Sequence, residues 1–420
     1  MKQPERISEK MDYSAPKGMR DFLPDEAAKR ERAMDAIRRT YRKFGFVPMD
    51  TPALETAEVL EKKCGDEIKG QLFRIDGGKL ALRFDLTVPL SRVASSNTFK
   101  KPFKRYCIAP VWRREEPQKG RFREFYQADA DIIGCPTVRA EAELIACAVS
   151  AISNLGFSGA TVRLNDRRII TAIASSLLSG KESVVLRILD KREKIGDAAC
   201  AEMLVSAGAK EKDAKKLLAD LTLAKANSEA LTVAEKYSKE GAESLKEILS
   251  LVKEYGKCEV KIDLSLVRGL DYYTGAIFEI SLGKEMGSVA GGGRYDNLLS
   301  TYGQGDSAVG ISLGFERLMA LMGERASEKR GVFVAAVKDE FYPYALQVAA
   351  KLRKAGVEAQ TDLNARSLKK QMDYASDSCK YIAVVGEREK KEGKVTLRDL
   401  SSGKEEMLSV EEAIRKIISP

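Results

Sequence analysis

Residues 105–134 read RYCIAPVWRREEPQKGRFREFYQADADIIG, and this stretch carries the most information about the fold and about the candidate functional residues. Two runs of strand-forming residues flank EEPQKG, a charged segment whose proline and glycine are typical of a turn. The second run, RFREFYQADADII, alternates large or basic residues with small or acidic ones, which is the period of a strand exposed on one face. The sequence therefore predicts a β-hairpin.

The charged residues of this hairpin allow two interpretations. A hairpin places basic side chains near one mouth and polar or acidic side chains along the returning strand: Arg113, Arg121 and Arg123, then Gln127, Asp129 and Asp131. Guanidinium groups that face carboxylates suit a ligand with a polyphosphate end and an amine end. The same residues also suit an edge hairpin with a solvated charged turn, and the hairpin alone does not separate the two.

Two further segments favour the ligand-binding interpretation. Leu266–Ile280 reads LVRGLDYYTGAIFEI, and Ala290–Leu299 reads AGGGRYDNLL and precedes AVGISLGFERL at Ala308–Leu318. With the hairpin, and in this order over essentially the whole chain, they resemble the histidyl-tRNA synthetases, a family of class II aminoacyl-tRNA synthetases. WRRE at residues 112–115 resembles the entry to the second class motif, and Arg317 resembles the arginine that ends the third.

The resemblance implies an α/β (α+β) fold. A class II synthetase catalytic core, with an antiparallel sheet flanked by helices, is expected over residues 1–325, with a helical insertion at residues 170–257. A C-terminal α/β anticodon-binding domain with a mixed sheet is expected over residues 330–420. Residues 46–55, FVPMDTPALE, resemble the first class motif, which builds the dimer interface in this family.

Local patterns predict several elements. Pro24-Asp25 starts a helix that Gly45 ends, a strand lies around Leu80–Phe84, and another helix begins near Thr87. Within the expected insertion, Leu245, Ile248, Leu249 and Val252 follow the spacing of a buried helix face. The insertion either sits over the acceptor stem of bound tRNA, as the resemblance implies, or only packs on the core. After Glu324–Arg330, alternating strands and helices predict the small α/β domain.

The resemblance also implies roles for individual residues in activating histidine with ATP. Arg113 and Arg268 neutralise the α-phosphate and are the catalytic candidates. The ATP-binding candidates are Arg113, Glu115, Arg121, Phe125 and Arg317, and Mg²⁺ bridges the phosphates. The histidine-binding candidates are Asp85, Leu86, Thr87, Gln127, Asp131, Tyr272, Tyr273 and Tyr295; many family members carry glutamate at the position of Asp131. Gln118 and Lys119 are candidate tRNA contacts, and Gly291–Gly293 are expected to let the backbone approach the ligand.

Composition excludes several alternatives. The chain has 420 residues, seven scattered cysteines and no histidine. Imidazole-based catalysis is therefore excluded, and no zinc cluster or other protein metal cluster is expected. Without histidine, the imidazole of the substrate is expected to be the main group that titrates between pH 5 and 8. The net charge of +9 suits a polyanion such as tRNA(His), but ordinary surface charge explains it equally.

No apolar run is long enough to span a membrane, and the scattered cysteines suit reduced thiols, so a cytoplasmic protein is expected. The resemblance of the first class motif implies a homodimer.

The main alternative function is regulatory. A non-catalytic relative of this family serves as a histidine-sensing subunit of ATP-phosphoribosyltransferase. It resembles the catalytic core but lacks the C-terminal domain and departs from the motif arginines. The present chain retains Arg113, Arg268 and Arg317 and continues into the extra domain, which favours the enzyme.

Overall fold

The computed structural model describes residues 13–62, 69–118, 120–223, 226–256, 258–267, 272–283, 287–303, 305–323 and 329–418. The chain divides into two compact units, Met1–Glu324 and Arg325–Pro420. The strands of the first unit are β1 (Val47–Pro48), β2 (Leu54–Thr56), β3 (Arg74–Ile75), β4 (Leu80–Leu82), β5 (Phe103–Trp112), β6 (Glu124–Ile133), β7 (Ala160–Asp166), β8 (Glu259–Ile262), β9 (Ala276–Leu282), β10 (Ser288–Arg294) and β11 (Ala308–Gly314).

The first unit is built on an eight-stranded sheet with the order β1-β5-β6-β11-β10-β9-β7-β8. Neighbouring strands are antiparallel except the outer pairs β1–β5 and β7–β8, which are parallel. Strands β2, β4 and β3 form a small antiparallel sheet. The mainly antiparallel sheet predicted from the sequence is confirmed, and the β5–β6 hairpin lies inside it, not at its edge.

The helices of this unit are α1 (Pro24–Lys43), α2 (Ala57–Glu61), α3 (Thr87–Ser96), α4 (Arg139–Asn154), α5 (Arg167–Leu177), α6 (Glu182–Asp190), α7 (Arg192–Ser206), α8 (Glu211–Leu223), α9 (Asn227–Tyr237), α10 (Lys239–Glu254), α11 (Asp296–Ser300) and α12 (Phe315–Leu321). A 3₁₀ turn covers Asp76–Gly78. Helix α1 begins with Pro24, has acidic residues in its first turn and basic residues in its last, and this order stabilises both ends of the helix dipole.

Helices α5 to α10 connect the parallel strands β7 and β8. Their buried side chains belong to the same hydrophobic cluster as the sheet, and α10 packs against α4 and β7. Leu245, Ile248 and Val252 of α10 are fully buried, as their spacing predicts. The helical segment is therefore part of the main core over much of its length.

The second unit carries strands β12 (Val332–Ala336), β13 (Ala359–Thr361), β14 (Tyr381–Val385), β15 (Lys394–Asp399) and β16 (Glu405–Ser409). Its helices are α13 (Tyr342–Lys354), α14 (Leu368–Ser378), α15 (Glu387–Glu392) and α16 (Val410–Ile418), with a 3₁₀ turn at Asp339–Phe341. The sheet order is β13-β12-β14-β15-β16, with parallel pairs on one side of β14 and antiparallel pairs on the other. The mixed sheet is confirmed; β16 and α15 were not predicted from the sequence.

Among the helices that the structure describes, none alone is long and apolar enough to cross a membrane. By length and composition only, the bent pair Arg167–Leu177 and Glu182–Asp190, with an angle of 112° between its helices, passes the same test.

Candidate active site

A cavity of about 670 Å³ lies over the part of the large sheet formed by β6, β11 and β10. It brings together most of the side chains singled out from the sequence. These are Asp85, Thr87, Arg113, Glu115, Arg121, Phe125, Gln127, Asp131, Tyr272, Tyr273, Tyr295 and Arg317. The cavity thus joins residues that are up to 232 positions apart in the chain.

Four candidates are not among the described residues that line this cavity. Arg268 and Lys119 lie outside the described residues. Leu86 packs its side chain into a small apolar cluster with Cys107 and Val111, so its predicted contact with histidine is not supported by the position of its side chain. Gln118 is exposed, and its backbone exchanges two hydrogen bonds with that of Arg121.

Strand β6 carries the polar floor of the cavity. Gln127, Asp129 and Asp131 face the cavity, whereas the alternating Ala128, Ala130 and Ile132 belong to the hydrophobic core. The alternation predicted from the sequence is therefore present, but the predicted solvent-exposed face is wrong. The polar side chains of this face line the cavity, whereas the side chains of the opposite face pack in the hydrophobic core.

Asp131 is held by two partners at the deep end of the cavity. It lies directly across from Arg105 on β5, and the Arg105 Nη2 and Asp131 Oδ2 atoms are 2.8 Å apart in a fully buried ion pair. The Tyr295 hydroxyl donates a hydrogen bond of 2.6 Å to Asp131 Oδ1. Arg105 also donates to the Leu86 carbonyl at 3.0 Å, which ties the floor of the cavity to the start of α3.

Asp85 and Gln127 lie where α3 meets the sheet. Asp85 Oδ1 accepts the backbone N–H of Val88 at 3.0 Å and so caps the first turn of α3. Gln127 Nε2 donates to Ser312 Oγ at 3.0 Å. Among the described residues, Asp85 Oδ2, Gln127 Oε1 and Asp129 Oδ1 are buried acceptors with no hydrogen-bond partner. Buried acceptors of this kind are normally satisfied, so they indicate the position of a ligand that donates hydrogen bonds.

Burial changes the acidity of these carboxyl groups. It raises the pKa of Asp85 to about 6, against the opposing effects of the Val88 N–H and Arg113. Burial and then the neighbouring Asp131 raise the pKa of Asp129 to about 7. The pKa of Asp131 is also raised by burial, although Arg105 and Tyr295 oppose the change. Burial thus moves the pKa values of two enzyme carboxyls toward the range in which the substrate imidazole is expected to titrate, and that expectation stays a prediction.

Three tyrosine rings form one wall. The ring centroids of Tyr272 and Tyr273 are 4.9 Å apart, and those of Tyr272 and Tyr295 are 5.8 Å apart, both in edge-to-face arrangements. Tyr295 is 2% exposed, and its hydroxyl contacts Asp131 as described above. The wall is suited to a flat ring with polar edges.

The glycines of β10 act differently from their predicted role. Gly291 lines the cavity, but a Cβ on Gly292 would lie 2.0 Å from the carbonyl oxygen of Gly310 on the neighbouring strand. A Cβ on Gly293 would lie 2.6 Å from the carbonyl oxygen of Ala276 and 2.9 Å from the Tyr273 ring. Gly292 and Gly293 thus allow neighbouring strands and a tyrosine to approach, and the predicted close approach to a ligand is wrong for these two residues.

The other end of the cavity is cationic. Arg113 follows β5 directly; its Nε donates to the Phe84 carbonyl at 3.1 Å, and its guanidinium lies 5.1 Å from the centre of the Phe125 ring. Arg121 lies 3.7 Å from Glu115, and Arg317, in the first turn of α12, donates to the Ser288 carbonyl. Arg123 does not line the cavity, because it contacts the Glu115 carbonyl and Glu116 instead.

Glu316 is an important residue that the sequence reasoning missed. It accepts hydrogen bonds from Arg20 at 2.5 Å, from both terminal nitrogens of Arg30 at 2.7 and 2.8 Å, and from the Tyr126 backbone at 3.3 Å. Burial opposes ionisation, but Arg30 and Arg20 outweigh it and lower the pKa of Glu316. Its position beside Arg317 in the chain was the available signal. Arg105 and Ser312 were also missed as site residues, and Asp129 was recognised only as one of the carboxylates along the returning strand.

An acceptor-rich end and an arginine-rich end face each other across one cavity. This arrangement on a mainly antiparallel sheet, with a separate α/β unit, defines a class II aminoacyl-tRNA synthetase. The family model described as Histidyl-tRNA synthetase matches residues 18–318, and the one described as Anticodon binding domain matches residues 331–419. The chain belongs to the histidyl-tRNA synthetase family.

Curated relatives and solved structures agree with this assignment. The chain is 35% identical to Histidine--tRNA ligase of Cytophaga hutchinsonii, over 96% of this chain and 99% of that protein. It is 37% identical to Histidine--tRNA ligase of Aeropyrum pernix, over 96% and 97% of the two chains. The crystal structure of histidyl-tRNA synthetase from Nostoc sp. PCC 7120 superposes with a TM-score of 0.85 at 29% identity, covering 97% of this chain and 100% of that one.

A further solved structure shares the fold. It is described as an ATP phosphoribosyltransferase regulatory subunit/histidyl-tRNA synthetase from Bacillus halodurans, and it superposes with a TM-score of 0.76 at 23% identity. It covers 90% of this chain and 99% of its own. At this identity the likeness extends to the fold alone.

Proposed function

We propose that this protein activates L-histidine with ATP and transfers the histidyl group to the 3′ end of tRNA(His). The observation that carries the proposal is the cavity itself: unpartnered buried acceptors at one end and Arg113, Arg121 and Arg317 at the other. Histidine brings an ammonium and a ring N–H to the acceptors, and ATP brings its phosphates to the arginines.

In the first step, a carboxylate oxygen of histidine attacks the α-phosphorus of ATP. The bond from that phosphorus to the bridging oxygen breaks, and pyrophosphate leaves with the electron pair. A carboxylate is already nucleophilic at pH 7, so the protein needs mainly to align the reactants and to stabilise charge on the α-phosphate. We assign that charge stabilisation to Arg113 and Arg268. In the second step, the terminal ribose hydroxyl of tRNA attacks the histidyl carbonyl and AMP leaves.

Substrate recognition is divided between the two ends. We assign the histidine ammonium to Asp85, Thr87 and Gln127, and the imidazole to Asp131 with Tyr272, Tyr273 and Tyr295. The buried ion pair with Arg105 and the Tyr295 hydroxyl support this role, since they hold the Asp131 carboxylate in one orientation. Phe125 beside Arg113 offers a face to the adenine, and Arg121 and Arg317 hold the outer phosphates.

Mg²⁺ is part of the proposal as an additional source of positive charge at the phosphates. Glu115, a partly exposed carboxylate that lines the cavity, or another acidic side chain near it would hold the ion. No group of three or more acidic, cysteine or histidine side chains in the described ranges is arranged to hold a metal. This suits Mg²⁺, which takes most of its ligands from phosphate oxygens and water.

The proposal also covers the roles of the two domains, the tRNA contacts, the location and the oligomeric state. We assign residues 1–325 to catalysis, with the insertion at 170–257, and residues 330–420 to anticodon binding. Gln118 and Lys119 contact tRNA from the hairpin loop. The protein acts in the cytoplasm as a homodimer; the exposed Val47 on edge strand β1 supports an interface at the first class motif.

The regulatory alternative is tested by the same assay as the enzyme. We expect ATP–pyrophosphate exchange that depends on histidine and on none of the other nineteen amino acids. Tight histidine binding without exchange would instead identify a histidine sensor. The match of residues 331–419 to an anticodon-binding domain supports the enzyme.

A further inference from the structure

We propose that Asp129 is an additional histidine-binding residue, whose Oδ1 atom accepts a hydrogen bond from the substrate ammonium. This inference rests on the proposed function. The carboxyl group lies on the cavity floor between Gln127 and Asp131 and is 2% exposed. Its Oδ1 atom has no hydrogen-bond partner in the part of the chain that the structure describes.

The register of the sheet explains why Asp129 faces no cation on the strands beside it. Asp131 lies opposite Arg105 on β5 and opposite Gly310 on β11, so it has both a cationic partner and the space to reach it. Asp129 lies opposite Cys107 on β5 and Ser312 on β11, and neither side chain carries positive charge. The buried guanidinium of Arg105 therefore pairs with Asp131 and not with Asp129.

The number of free acceptors matches an ammonium group. Among the fully buried side-chain acceptors of the described residues, three in the cavity have neither a hydrogen bond nor an ion pair: Asp85 Oδ2, Gln127 Oε1 and Asp129 Oδ1. An ammonium has three N–H donors and one positive charge. Its arrival would satisfy all three acceptors and add positive charge beside Asp85 and Asp129.

The groups that interact electrostatically with Asp129 come from several elements. They are Arg105 and Cys107 on β5, Asp131 on β6, Ser312 on β11, Asp85 before α3, Tyr41 on α1 and Tyr295 after β10. Burial and then Asp131 favour the protonated carboxyl in the empty site, while Arg105 and a hydrogen bond from Ser312 oppose them. The ammonium shifts this balance toward the carboxylate, so ligand binding releases a proton.

Isothermal titration calorimetry of the full-length protein tests the contact. The two ligands are histidine and imidazole-4-propionate, which has the ring and the carboxylate but no ammonium. Asp129→Asn should weaken histidine binding by about 10-fold or more, because a charge-assisted hydrogen bond is lost. The same variant should change the affinity for imidazole-4-propionate less than twofold. The matched control is Asp377→Asn, an exposed aspartate of the second unit, which should bind both ligands like the wild type.

Two results would overturn the inference. One is unchanged histidine affinity in Asp129→Asn. The other is an equal loss of affinity for both ligands, which would mean that Asp129 contacts the imidazole ring or supports the folded structure. If Asp129→Asn does not fold, Asp129→Ser is measured with the same two ligands and the same expected selective loss. At pH 7, binding of 1,2,4-triazolyl-3-alanine, whose ring does not titrate there, should release protons in the wild type and fewer in the folded variant, measured in two buffers of different ionisation enthalpy; equal release in both would assign the proton to another group and refute the proposal.

The outcomes separate this inference from the proposed function. If the wild type shows neither histidine binding nor histidine-dependent exchange, the proposed function fails, and the inference fails with it. If the wild type binds and activates histidine while Asp129→Asn behaves like the wild type, only the role of Asp129 is refuted.

Discussion

Gly310 and Asp131 lie directly opposite each other on neighbouring strands, and a Cβ on Gly310 would stand 2.1 Å from Asp131 Oδ1. The absence of a side chain at Gly310 therefore gives the carboxylate the space in which it meets Tyr295 and Arg105. This glycine shapes the cavity without a left-handed backbone, so its importance lies in space and not in conformational freedom.

Gly310→Ala should impair histidine recognition more than it impairs folding. The added methyl displaces a side-chain oxygen, so Asp131 must rotate away from Tyr295. We expect KM for histidine in pyrophosphate exchange to rise by about 10-fold or more, from a lost charge-assisted hydrogen bond. Gly70→Ala is the matched control, because a Cβ there meets no heavy atom within 4 Å. Unchanged KM in Gly310→Ala would show that Asp131 tolerates another orientation.

Tyr295→Phe removes the hydroxyl that contacts Asp131 at 2.6 Å and retains the ring. A buried hydrogen bond to a charged group contributes about 1.5–3 kcal/mol, which corresponds to roughly 10–100-fold in affinity. We expect histidine affinity to fall by that factor while KM for ATP changes less than twofold. A parallel rise in KM for histidine and in KM for ATP, measured in the exchange assay, would point to a general disturbance of the cavity.

Arg268→Ala tests the catalytic arginine assigned through the family motif. Its charge is needed most as the α-phosphorus becomes pentacoordinate, so the rate of adenylate formation should fall by about 10²–10³. Histidine affinity, measured by calorimetry, should stay close to that of the wild type. A large loss of histidine affinity with an unchanged rate constant would instead make Arg268 a ground-state contact.

Deletion of residues 331–420 should separate amino-acid activation from tRNA charging. The second unit has its own hydrophobic clusters, distinct from the core of the first. We expect the truncated protein to retain pyrophosphate exchange within a few-fold of the wild type and to lose most tRNA charging. Circular dichroism should first establish that the truncated chain is folded. Full aminoacylation by the truncated chain would remove the anticodon-binding role from this unit.

The buried carboxyl groups of the cavity should make the free energy of unfolding depend on pH. Burial raises the pKa of Asp85 to about 6 and that of Asp129 to about 7. Above about pH 4, the usual carboxyl pKa, the unfolded chain has released protons that the native state still holds, so these groups lower the free energy of unfolding as pH rises toward 7.

Asp129→Asn should therefore stabilise the ligand-free protein at pH 8 by at least ~1–2 kcal/mol, since each unit of pKa shift corresponds to about 1.4 kcal/mol. Most of the gain should disappear at pH 4, where the native carboxyl holds its proton and the unfolded one is about half protonated. Thermal unfolding at the two pH values measures the difference. A stabilisation that is the same at both values would indicate a packing effect instead of the removal of a buried charge.

Much of the local structure was determined by the sequence itself. The strand periods on either side of EEPQKG correspond to β5 and β6, and Pro24 corresponds to the start of α1. The spacing of Leu245, Ile248 and Val252 corresponds to the buried face of α10. These features are local: each depends on the conformational preference or the periodicity of a few neighbouring residues.

The tertiary structure decided which polar residues form the site and which protonation state each carboxyl group favours. Asp129 and Asp131 are two positions apart and alike in sequence, yet Asp131 lies opposite Arg105 and Asp129 lies opposite Cys107. Their other neighbours, Gly310 and Ser312, come from a strand that follows almost 180 residues later. Strand register and burial set the charge of each carboxyl, because a pKa depends on desolvation and on neighbouring charges, and those exist only once distant strands have paired.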